Sequence, residues 1–192
     1  MIPHCDQIPV LELPDDLQSC LIAASAQFLC NGFCQASMYV FAPGRDPLIE
    51  NVAMFMENHT DGKDMLERVL VHAASMPDVT AVALLTECWA VKLEKDEDPA
   101  GAMLLAYAGQ LHKSPKRAEQ LNVTFETRGD EFSPPEHYLC ILPIIREPGQ
   151  KAKLGKPECA RMPSSELISM DHGRFQGLFL KAKKPKNKSW MC

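Results

Sequence analysis

No stretch of this 192-residue chain stays apolar for long: the longest unbroken run, Ala102 to Ala108, has seven residues. A membrane-spanning helix needs roughly 20, so the sequence predicts no membrane partner. The opening MIPHCDQIPVLELPDD is acidic and broken by prolines, and it lacks the basic-then-apolar order of a secretion signal. Catalytic signatures are equally scarce. There is no Gly-x-Ser-x-Gly elbow, no His-Glu-x-x-His, no Gly-x-x-x-x-Gly-Lys phosphate loop and no dinucleotide glycine fingerprint. The histidines His4, His59, His72, His112, His137 and His172 stand at no metal-ligand spacing to one another. No internal repeat is visible. What is present is an apolar fraction of 46% against 23% charged residues, which suits a self-sufficient core rather than a disordered chain.

The net charge of −5 hides an asymmetry. Residues 181–192, KAKKPKNKSWMC, hold five lysines and no acid, which leaves 15 basic against 25 acidic side chains, about −10, in residues 1–180. A nucleic-acid-binding domain presents basic charge on a folded face, so no specific nucleic acid is expected. The expected organisation is one domain over residues 1–180, irregular over 147–165, followed by a disordered basic tail over 181–192. Eight cysteines without an export signal predict reduced thiols and a cytoplasmic setting. Cys20, Cys30, Cys88 and Cys140 fall among apolar neighbours and read as small buried hydrophobes.

Along the chain, Pro14-Asp15-Asp16 suits a helix start, Leu17, Leu21, Ala24 and Phe28 make one apolar face, and Asn31-Gly32 ends it. Residues 37–42 and 51–57 read as two strands of a hairpin across Pro43-Gly44. A second helix begins at Thr60 or Asp61, with Met65, Leu66, Val69, Leu70 and Ala73 as its buried stripe. Residues 79–91 read as a central strand covered on both faces, and Asp98-Pro99 as the cap of a short third helix. Over 121–128 the alternation is clean. Leu121, Val123, Phe125 and Thr127 predict a core face; Asn122, Thr124, Glu126 and Arg128 predict a wet one. Residues 136–146 make a strand whose Pro143 argues for an edge or a bulge. The apolar piece within 167–180 is expected to dock on the body. The resulting fold class is α+β, a mostly antiparallel five-stranded sheet with two or three packed helices, and its order is similar to the profilin-like and roadblock-like sandwiches.

Glu87-Cys88-Trp89 at a strand end, Pro115-Lys116-Arg117 before the next strand and Arg174-Phe-Gln-Gly-Leu178 near the C-terminus form a pattern. It resembles a set of uncharacterised proteins of bacteria and their phages or mobile elements, over roughly residues 37–180. The resemblance implies a bacterial or phage source. It implies no activity and transfers no catalytic residue.

Two groups of residues qualify as sites. Glu87 shares a strand face with Leu85 and Trp89, where a carboxylate is partly desolvated, and Arg128 or His137 offers it a cross-strand partner. Glu87, Trp89, Arg128 and His137 are therefore candidate binding residues. His4, Cys5, Cys30 and Cys34 are candidate zinc ligands, although Cys-x3-Cys lacks a second paired knuckle. Ten methionines, among them Met54, Met56, Met65, Met76 and Met103, suit core filling or an adaptable interaction face. The first reading is a non-enzymatic binding or protein-interaction module with no cofactor, acting on an unknown protein partner or by self-association. Its contact is expected through an edge strand or the wet face around Asn122 to Arg128. A small hydrolase using acids near Glu87 and His137 is one alternative, and a zinc-binding module is the other.

Overall fold

The computed structural model describes residues 6–57, 59–91, 100–108, 110–130, 133–162 and 177–183. Its elements in chain order are β1 (Asp6–Gln7), α1 (Asp15–Asn31), β2 (Ser37–Phe41), β3 (Leu48–Asn51), α2 (Ala53–Glu57) and α3 (His59–Ser75). Then come β4 (Ala81–Val91), α4 (Ala100–Tyr107), β5 (Arg117–Thr127), β6 (His137–Ile145), β7 (Lys153–Leu154), β8 (Glu158–Met162) and α5 (Leu178–Lys183). The fold is α+β. One antiparallel sheet of eight strands runs β1-β8-β6-β5-β4-β2-β3, with β7 beside β6. The expected five strands are thus joined by β1, β7 and β8.

Each face of the sheet carries its own core. On one, Leu17, Leu21, Ala24 and Phe28 of α1 pack on Ala83, Leu85, Leu121, Val123 and Phe125. On the other, Leu66, Leu70 and Ala73 of α3, with Leu178 and Phe179 of α5, pack on Met38, Val40, Val82 and Leu84. The central strand is therefore apolar on alternate residues of both faces, which is why 79–91 shows no polar face. Gly32 takes a left-handed φ of 77° and its N–H returns to the Phe28 carbonyl, ending α1 where Asn31-Gly32 predicts. Gly129 opens the turn between β5 and β6 at φ 66°, and a Cβ there would meet the Ser133 carbonyl oxygen at 2.4 Å.

Several expectations are corrected. The hairpin exists, but its second strand is Leu48–Asn51; residues 53–57 are helical, because the Asn51 side-chain carbonyl caps the Ala53 N–H at 2.9 Å and turns the chain. Met65 lies outside the buried stripe of α3 and is exposed. Pro143 sits in an interior strand. It falls where β6 changes partner, between residues 137–141 on β8 and 144–145 on β7, so its missing N–H interrupts no continuous ladder. The stretch 147–165 contains β7 and β8, which its proline, glycine and lysine content conceals. Residues 181–183 belong to α5 rather than to a tail; 184–192, the Asp98-Pro99 cap and residues 167–176 lie outside the described residues. The thiol expectation fails at one pair: Cys140 and Cys159, opposite each other on β6 and β8 with Cα atoms 4.1 Å apart, are joined as a disulfide.

Candidate functional site

Glu87 and Trp89 lie on the α1 face of β4, beyond the point where α1 ends. One carboxylate oxygen of Glu87 accepts the Cys34 N–H at 3.0 Å, and the other lies 3.5 Å from the Arg146 guanidinium. Arg146 also binds Glu119, and Arg117 covers the Trp89 ring 5.7 Å from its centroid. The partner of Glu87 is thus Arg146, at the far end of β6, and neither Arg128 nor His137. The register explains this. Glu87 stands opposite Leu121, whereas His137 stands opposite Glu126. Five positions along β5 amount to about 17 Å, and the two side chains point to opposite faces. Glu87 and His137 do not share a site.

Arg128 and His137 belong to the α3 face. Arg128 donates to the carbonyls of Ala74, Met76 and Val79, closing the C-terminal end of α3, and its guanidinium lies over the Phe179 ring at 5.1 Å. Glu126 is 1% exposed and accepts the N–H groups of Leu178 and Phe179 at 3.0 and 2.9 Å. It caps α5, whose start at Gly177-Leu178 has no capping side chain of its own. His137 Nδ1 is 3.7 Å from the Glu126 carboxylate, and neither ring nitrogen has a hydrogen-bond partner among the described residues. Among the described residues, Leu70, Leu84 and Leu178 line the small gap beside this pair, and both side chains are buried. The predicted wet face over Asn122 to Arg128 is in fact covered at Glu126 by α5 and α3. Sequence alternation identified the second face of β5 correctly but could not say what lies on it.

Of the candidate zinc ligands, His4 and Cys5 lie outside the described residues. Cys30 is exposed at the end of α1. Cys34 is buried, donates its thiol to the Ala24 carbonyl at 3.2 Å, and is pushed up to about 11 by burial and then by the charge of Glu87. Both effects oppose the thiolate a metal requires. Among the described residues, no three side chains of metal-binding type come together.

The remaining candidate is the sheet edge. β3 pairs with β2 on one side, and among the described residues no strand lies on its other side. All four of its residues are exposed. Leu48 stands opposite Val40 on the α3 face and Ile49 opposite Tyr39 on the α1 face, both more than half exposed. Met54, just after the edge on α2, is exposed as well. Set against profiles of known protein families, curated proteins and solved structures, the chain matches none.

Proposed function

We propose that the chain is a non-enzymatic protein-interaction module that binds an extended segment of a partner protein as an added strand beside β3. One observation carries the reading: an edge strand with apolar side chains on both faces. Strands covered on both faces are apolar on both, and natural edges are ordinarily guarded by lysine, proline or a bulge. β3 is short, with Pro47 just before it and one charge, Glu50, but it carries no lysine or bulge. Strand addition supplies main-chain hydrogen bonds for affinity and side-chain positions for specificity. The fitting segment alternates apolar residues to cover Leu48 and Ile49 and brings a basic side chain to Glu50. The acidic body, about −10 over residues 1–180, favours such a segment during encounter. A cytoplasmic setting and a bacterial or phage source complete the proposal. No helix among the described residues is long and apolar enough to cross a membrane.

Selection of displayed random peptides on the full chain tests this. Peptides should emerge with alternating apolar residues and a basic position, and Ile49→Lys should weaken them by at least about tenfold. Selected peptides that bind Ile49→Lys as tightly as the native chain would sink the reading.

A further inference from the structure

Cys140 and Cys159 face each other within the β6–β8 ladder, and both are buried in the core beneath α1. The Cys159 carbonyl accepts the Ile8 N–H at 2.9 Å on the β1 side, so the backbone groups of Cys159 turn away from β6. Opposed residues of that kind share no main-chain hydrogen bond and hold their side chains closest, which lets one S–S bond span them. The bond closes a loop across a sequence separation of 19. It fastens β8, and through β8 the two-residue β1, to the rest of the sheet. Cys20, Cys30, Cys34 and Cys88 remain free thiols, and Cys30 is exposed. Burial first, then the nearby charge of Asp16 or Glu87, pushes Cys20 up to about 12 and Cys34 up to about 11. Both stay protonated at neutral pH and attack disulfides poorly, so the bond keeps to its own pair. One disulfide among free thiols, one of them exposed, is the inventory of a thiol-rich medium, where protein disulfides are ordinarily transient.

We infer that Cys140 and Cys159 form a reversible redox switch, opened by a small thiol and closed by that thiol's disulfide, which sets how firmly β8 and β1 are held. Opening takes two exchanges. The thiolate of one small thiol attacks a sulfur of the pair and forms a mixed disulfide, and the other cysteine leaves as a thiolate that takes up a proton. A second small thiol then displaces the mixed disulfide. The chain ends with two thiols and the reductant with one disulfide, two electrons having passed to the protein. Closing runs the same steps backwards. Both sulfurs lie inside the sheet, so exchange follows an opening at its end. β1 has two residues and β8 five, against 11 in the central β4, and short terminal strands open at lower cost. The β3 edge lies at the opposite end of the sheet, so the switch is independent of strand binding there and rests only on the cytoplasmic setting proposed above.

Equilibrating the native full chain with reduced and oxidised glutathione in varied ratio, from both directions, tests the switch. After acid quench and alkylation, mass spectrometry should show Cys140 and Cys159 losing their two alkyl groups together as the ratio turns oxidising, with one end point from either start. Reduction should quicken amide hydrogen exchange at residues 6–8 and 158–162 by at least about tenfold, under a ceiling on the order of a few hundredfold for a loop of this length. The amides of β2, β3 and β4 should keep their rates. Cys159→Ala should exchange like the reduced chain at every ratio. A pair that stays oxidised in excess reduced glutathione is a permanent staple and would overturn the inference. A pair that never closes would overturn it too, as would a reduced chain whose β1 and β8 exchange as slowly as the oxidised one.

Discussion

The β4–β5 ribbon carries a charged cluster at each end, and the two are built differently. At the end near Thr127, Glu126 and His137 are buried on the α3 face, and Glu126 and Arg128 close the ends of helices: Glu126 the start of α5, Arg128 the finish of α3. At the end near Val91, Glu87, Glu119, Arg117 and Arg146 gather on the α1 face, where water reaches all four. Glu126 and Arg128 hold layers together, because both meet backbone groups that would otherwise be orphaned in the core. Charges of the second kind exchange partners with solvent at little cost. The cluster that resembles an acid–base site by residue type is therefore the structural one.

Glu126→Ala should separate the two ends most sharply. It strands two buried N–H groups at the start of α5 and removes the neighbour of His137, at about 3 kcal/mol or more in urea unfolding. A loss under about 1 kcal/mol would erase the distinction. Tyr138 probes the buried end from the α1 side. Its hydroxyl donates to Glu136 at 2.6 Å, and burial, followed by that carboxylate, pushes it up to about 12. A phenol whose folded value is raised contributes stability in full below its ordinary value of about 10, and that contribution is lost as pH climbs from there to about 12. Tyr138→Phe should cost about 1 kcal/mol at neutral pH and flatten the alkaline decline in a pH series of melts. Arg146→Ala at the open end should cost the least, within about 1 kcal/mol, because its two ion pairs are solvent-screened. A larger loss would show that the Glu87 cluster is a structural clamp as well.

How far the sequence carries depends on whether the cause is local. The ends of α1, the inner face of β5 and the apolar course of β4 are all set by spacing and capping within a few residues, and all were legible. The strand expected over 51–57 failed because a single side chain, Asn51, redirects the backbone into α2, while the true β3 lies upstream in 48–51. The wet face failed for a different reason. Alternation correctly sets Glu126 on the face away from Phe125, but the helix that covers it lies 52 residues further on. Glu87, Trp89, Arg128 and His137 were all visible as unusual strand residues, yet pairing them required a register that no single segment contains. One signal was available for α5: Gly177 before Leu178 and Phe179 opens a helix with no capping side chain, so an acceptor from elsewhere was needed.

The Glu126 cap also orders the molecule in time. During synthesis α3, β4, β5 and β6 all leave the ribosome before Leu178 does, since chains emerge N-terminus first. Until then the Glu126 carboxylate is open to water and the second layer is unsealed. Arrival of α5 exchanges that water for two peptide N–H groups and buries Leu178 and Phe179 in the same step. A chain cut short before Leu178 lacks both N–H groups that Glu126 accepts, so the buried acid is left without the helix start it caps.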